Sequence, residues 1–254
     1  MINFTDQHIN ELSSQGYVFI PNFFAEQTVS DFKKIFDDLK SNVSKTDKQI
    51  GTVDFFTDIY NSNSDKTVWK LREYMQKTEV GKNIISDIEK QIKKIDPKLE
   101  FFRDKFINQE TNYQGHLPHQ DFSATSHRQF AKQLFSVYVS LTKTTRDAGC
   151  LWVEKVKRTE NMGMCETGCA QGYRCLCINQ NIFPHQIENY KGHKLEPVEC
   201  EPGDAIILDG WNLHGAGTNV APTARQTVVF VYGEKLDSEK SLNEKWRESR
   251  NLLT

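Results

Sequence analysis

The sequence predicts a mainly β protein: a double-stranded β-helix, or jelly roll, with helices along its flank. Three observations carry this. Short runs rich in β-formers follow one another from about residue 99 onward, among them 134–141 and 225–232. Helical periodicity is confined to the stretch before them and to the tail. The strand-like runs are joined by long return connections, as in a double sheet.

In chain order, Thr5 or Asp6 caps a short helix over 6–14, which Gly16 ends. Tyr17-Val18-Phe19-Ile20 is a short strand before Pro21. A helix over about 26–43 carries Val29, Phe32, Ile35, Phe36 and Leu39 at helical spacing, an apolar stripe for the outside of a sheet. Residues 44–66 are polar, interrupted by Val53, Phe55, Phe56, Ile59 and Tyr60, and read as a surface connection with a short element. Helices are expected over about 67–78 and 80–95, the second stopped by Pro97. Strands are expected at 99–108, 134–141, 149–153, 174–178, 194–199, 205–208 and 225–232, and an amphipathic helix at 238–250. No linker divides the chain. One domain is expected, with a mostly helical flank at 1–98, a core at about 99–233 and a C-terminal helix within 234–254.

With 32 basic and 34 acidic residues the net charge is −2, so nothing overall favours nucleic acid or a membrane surface. No apolar run approaches the roughly 20 residues of a membrane span. The opening residues are polar and start a helix, which is unlike a secretory signal. A cytoplasmic protein with reduced cysteines is expected, a monomer or homodimer acting on a small molecule.

The chemistry centres on His119-Gln120-Asp121. This spacing puts an imidazole and a carboxylate on one face of an extended strand. A second imidazole must come from elsewhere, and His214 is the candidate. Two His and one carboxylate on one face of a metal leave positions open, which suits non-haem Fe(II) activating O2. The same tripeptide, between Pro118 and Ser123, also fits a surface turn. His214 follows an apolar strand and precedes Gly215 and Gly217, which suggest close backbone approach to something bound. Arg225 opens an otherwise apolar strand. A buried guanidinium there needs an anion, bound or structural, and Thr227 shares its face.

HQD at 119–121, the run EPGDAIILDGWNLHGAGTN at 201–219, and Arg225 together resemble the phytanoyl-CoA dioxygenase family of Fe(II)/2-oxoglutarate oxygenases. The resemblance covers the second half of the chain well and the first hundred residues only in layout. It implies a jelly roll in which His119, Asp121 and His214 bind the iron and Arg225 holds the distal carboxylate of 2-oxoglutarate. O2 is the other co-substrate, and succinate and CO2 are released. Thr227 and Gln133 are further candidates for co-substrate contact. The carboxylate at Asp121 argues for hydroxylation over halogenation, since related halogenases carry a small residue there. A free amino acid or specialised metabolite is the favoured substrate. An acyl-CoA, a desaturation or ring closure, and a cupin-like activity without 2-oxoglutarate remain open. The Pro-Gly-Ser-His element frequent in the family is replaced by Glu154-Lys155-Val156-Lys157, so the resemblance does not carry a substrate across.

Other groups are less specific. Cys165, Cys169, Cys175 and Cys177 could hold zinc, although their spacing is not that of paired CxxC knuckles, and packing or chance fits better. His116, His127, Arg128, Lys132, Lys143, Arg146 and Arg174 lie near the motif in sequence and could meet a substrate anion, but most are expected on solvated faces. Phe122 is a candidate to shape the pocket, and Trp152 to wall it or fill the core.

Overall fold

The computed structural model describes residues 3–42, 52–56, 67–123, 131–162, 178–180, 182–236 and 240–249. Strand β14 (Arg225–Lys235) lies at the middle of its main sheet. Its Val228, Phe230 and Tyr232 pack to one side and its Val229 and Val231 to the other. A strand covered on both faces can be apolar throughout, which is how this one reads.

Around β14 runs an antiparallel seven-stranded sheet. Its other members are β1 (Tyr17–Ile20), β2 (Thr52–Phe56), β3 (Thr67–Arg72), β4 (Glu100–Gln109), β6 (Ala131–Ser140) and β12 (Ala205–Asp209). The order is β1-β12-β6-β14-β4-β3-β2. A second sheet comprises β5 (Gly115–His119), β7 (Leu151–Val153), β8 (Ile178–Gln180), β11 (Glu196–Val198) and β13 (His214–Ala216), in the order β11-β7-β13-β5-β8. The strands β9 (Asn189–Tyr190) and β10 (His193–Lys194) form a small hairpin. The two sheets, with the chain passing back and forth between them, are the jelly roll expected.

Helices cover one face of the large sheet. α1 (Asp6–Gln15) is capped by Thr5, whose hydroxyl accepts from the His8 amide, and it stops at Gly16 in the left-handed conformation, φ 79°. α2 (Glu26–Asn42) presents Phe32 and Phe36, and α3 (Glu79–Ile92) presents Ile85, Ile88 and Ile92, to Phe106, Val137, Val139 and Phe230. Each such side chain contributes about 1.5–3 kcal/mol by leaving water. α4 (Pro184–Ile187) is one turn, and α5 (Leu242–Ser249) closes the described chain. Among the described residues no helix is long and apolar enough to cross a membrane.

One expectation about the first third needs correction. Residues 67–78 are not a helix: β3 pairs with β4, and a 3-10 turn, Met75–Lys77, follows. Edge pairing to an existing sheet overrides a weak helical propensity. The flank over 1–98 carries the helices α1, α2 and α3, and it also adds β1, β2 and β3 to the large sheet. The four clustered cysteines, and the expected 174–178 strand apart from Ile178, fall outside the described residues; β8 begins at Ile178.

Candidate active site

Register brings the two imidazoles together. β13 pairs with β5 so that His214 lies opposite His119, with a bulge between His214 and Ala216. Gly215 permits this: a Cβ there would lie 2.9 Å from the His116 carbonyl oxygen. The close approach anticipated at Gly215 is thus to the β5 backbone. Asp121 does not sit on the same strand face as His119, as the spacing suggested. β5 ends at His119, and Asp121 opens a 3-10 turn, Asp121–Ser123. Gln120 makes that turn firm. It is buried, donating to the carbonyls of Glu160 and Trp211 and accepting from the Met162 amide at 2.8 Å.

One nitrogen or oxygen from each of His119, Asp121 and His214 lies within 4.8 Å of the others. His119 Nε2 is 3.8 Å from Asp121 Oδ1, and His214 Nε2 is 4.0 Å from Asp121 Oδ2. Both imidazoles turn Nδ1 to a backbone carbonyl two residues back: His119 to Leu117 at 2.8 Å, His214 to Asn212 at 3.0 Å. A donor at Nδ1 leaves a lone pair at Nε2, the form a metal takes. Burial, then the His214 charge, pushes the His119 pKa down to about 4, and burial also lowers that of His214. Burial opposes the charge on Asp121. His214, Lys105 and His119 outweigh it together with the Ser136 hydroxyl, and hold the carboxyl well below its usual range. Two neutral imidazoles and an ionised carboxylate are therefore ready at neutral pH with no proton to lose. This donor set fits a facial iron site.

A cavity lies along the inner face of the large sheet, and Tyr138, which lines it, also approaches the triad. Its lining includes Tyr138, Ser140, Thr144, Cys200, Arg225 and Thr227. The Tyr138 hydroxyl is 3.5 Å from His214 Nε2. Arg225 is buried. It donates to Gln109 Oε1 at 3.0 Å, to Thr227 Oγ1 at 3.3 Å and to the Gly149 carbonyl. Gly149 has φ 71°, and a Cβ there would lie 2.5 Å from the Gly217 carbonyl oxygen, so only glycine brings its backbone this close. Among the described residues no carboxylate pairs with Arg225, which disfavours a purely structural ion pair. Neutral acceptors orient it.

Gln133 is not part of this site. Inner positions on β6 are Leu134, Ser136, Tyr138 and Ser140, so alternation turns Gln133 to the other face, where it donates to Asp96 at 2.8 Å. His116 is close, with ring centroids 6.3 Å from His119, and Phe122 packs edge-on against Trp211 at 4.8 Å. Lys132 and Lys143 are exposed and paired with Glu234 and Glu201. Arg146 is exposed, and Trp152 is core. His127, Arg128 and Arg174 lie outside the described residues. Sequence reasoning missed Lys105, Arg103, Arg72 and Lys70. They occupy the inner rows of β3 and β4, and the sign that could have found them is Arg103 and Lys105 two residues apart, on one face of a strand that also carries Phe101, Phe102 and Phe106.

A jelly roll with a His–Asp–His group between its sheets defines the non-haem iron, 2-oxoglutarate-dependent oxygenase class. The model of the phytanoyl-CoA dioxygenase (PhyH) family matches residues 12–227. The chain belongs to that family. A search of curated protein sequences returned no match. Solved structures share the fold at low identity. The α-ketoglutarate-dependent carbocyclase SnoK of nogalamycin biosynthesis superposes with a TM-score of 0.64 at 15% identity, covering 91% of this chain and 85% of that one. EctD from S. alaskensis gives 0.62 at 15% identity, covering 91% and 77%. EvdO2 from Micromonospora carbonacea var. aurantiaca, solved with 2-oxoglutarate, gives 0.59 at 16% identity, covering 96% and 97%.

Proposed function

We propose that this protein is an Fe(II)- and 2-oxoglutarate-dependent oxygenase that oxidises an unactivated C–H bond of a small molecule, an amino acid or a specialised metabolite. The observation that carries the reading is the triad: three acceptor atoms within 4.8 Å, with each imidazole fixed by its Nδ1 donating to a backbone carbonyl. In this reading His119, Asp121 and His214 hold the iron. Arg225 and Thr227 would hold the distal carboxylate of 2-oxoglutarate in the cavity they line. The chemistry supplied by iron with its keto acid is O2 activation coupled to decarboxylation, yielding succinate and CO2.

The protein's own part is orientation and exclusion of water. Ser136 donates to Asp121 Oδ2 at 2.8 Å, which leaves Oδ1 for the metal. Ile206, Leu151 and Val198 make the cavity wall apolar beside the chemistry. With Asp121 as a ligand, the metal would keep a carboxylate where a halide would otherwise bind, which favours hydroxylation over halogenation. The fold is shared with a carbocyclase and with the epimerase SnoN, and supports several outcomes of the same C–H oxidation. The test is O2-dependent formation of succinate from 2-oxoglutarate with Fe(II) present. Wild type turns over and Asp121→Ala does not; equal rates in the two would sink the assignment.

A further inference from the structure

The inner face of the large sheet changes character across its width. On β6 and β12 it carries Ser136, Tyr138, Ser140, Ile206 and Leu208. On β3 and β4 it carries cations. Arg72 lies opposite Lys105 in the β3–β4 register, and Lys105 and Arg103 lie opposite Val229 and Val231 of β14, which face the interior between the sheets. Residues opposite one another in an antiparallel pair share a face, so Arg72, Lys105 and Arg103 point the same way. Lys70 continues the row, with Asp54 across from it in the β2 register.

Lys105 is the informative member. It is half-buried, and its ammonium is 5.8 Å from the centroid of the Tyr138 ring, the ring whose hydroxyl approaches His214. Among the described residues it makes no hydrogen bond or ion pair. Burial, reinforced by the Arg103 and Arg72 charges, pulls its pKa down to about 8, and the one acid working against this is Asp121. A cation held inside a fold without an acid of its own is costly to keep, unless a ligand supplies the anion.

We infer that Lys105, with Arg103 and Arg72 beside it, forms the subsite for an oxyanion of the substrate, a carboxylate or a phosphate, next to the metal centre. The inference rests on the proposed oxygenase reading and narrows its substrate class. It separates two anion sites on one sheet face: Arg225 for the co-substrate in the cavity it lines, and Lys105 for the substrate on the side of Asp121.

The test is equilibrium dialysis of the anaerobic protein, saturated with Fe(II) and 2-oxoglutarate, against radiolabelled inorganic phosphate and, separately, acetate. Wild type is expected to bind one equivalent of at least one of them. Lys105→Met weakens that binding at least tenfold and Lys105→Arg restores most of it. Both variants keep the visible band of iron-chelated keto acid, which shows that they fold and that the co-substrate site is intact. Tighter phosphate binding identifies a phosphate ester as the substrate's anion, and tighter acetate binding a carboxylate. The inference is overturned by no saturable binding of either anion, by binding unchanged in Lys105→Met, or by displacement of the anion as 2-oxoglutarate is raised. If the band never forms in wild type, the oxygenase reading itself has failed. Dialysis without metal then decides the anion site alone by the same Lys105 comparison.

Discussion

On the outer face of the large sheet polar groups close on partners within the protein, whereas on its inner face they converge on a cavity. Asp104 and Lys105 are neighbours on β4 and show the contrast. Asp104 faces the helices and accepts from the Tyr74, Met75 and Gln76 amides at 2.9, 3.0 and 3.4 Å. Tyr232, on the same side, donates to the Ile85 carbonyl at 3.0 Å. Lys105 and Arg225 face inward, and among the described residues neither has a carboxylate within ion-pair reach. Buried polar groups that are fully satisfied hold a fold together. Groups left with capacity to spare mark where ligands come. Substitutions on the two faces should therefore fail differently, one in stability and the other in chemistry.

The largest effect is expected at Asp121. Replacement by Ala should cut succinate formation by roughly four powers of ten, about 5.5 kcal/mol in barrier, with little change in Tm. Loss of folding instead would break the contrast. On the outer face, Phe230→Ala should cost about 3–5 kcal/mol in a denaturant titration, while the protein that stays folded keeps its KM for 2-oxoglutarate. Asp104 gives a signature in pH. Burial raises its pKa to about 6 despite three backbone donors. The folded state then keeps a proton that the unfolded chain releases, so stability falls as pH rises from about 4 to about 6. The expected loss is roughly 2–3 kcal/mol, and Asp104→Asn should flatten that slope in unfolding measured across the range. Smallest in energy, Arg225→Lys should raise KM for 2-oxoglutarate about tenfold, near 1.4 kcal/mol, because an ammonium cannot match a carboxylate in two parallel bonds. An unchanged KM would remove Arg225 from the co-substrate site.

Much of this was legible in the chain itself. The turn at Pro202-Gly203-Asp204, the apolar β12, His214 and Arg225 are local in sequence, and each predicts its own geometry. Asp204 accepts from the Glu201 and Asn22 amides at 2.8 Å, which ties that turn to the chain after β1. What was not legible depends on pairing partners far away. Residues 67–72 become a strand only because β4 offers an edge. Gln133 leaves the site because the register of β6 turns even-numbered residues inward. Arg103 and Lys105 read as a solvated row on β4 until the second sheet covers that face.

The central claim is that the triad and Arg225 together hold iron and its keto acid. Its most direct test is anaerobic titration of the metal-free protein with Fe(II) and 2-oxoglutarate, followed by visible absorbance. The account predicts a weak charge-transfer band that needs both components, is lost in Asp121→Ala, and requires more 2-oxoglutarate in Arg225→Lys. Iron binding on which 2-oxoglutarate leaves no mark would contradict it, and would favour a cupin-like metalloenzyme that does not use the keto acid.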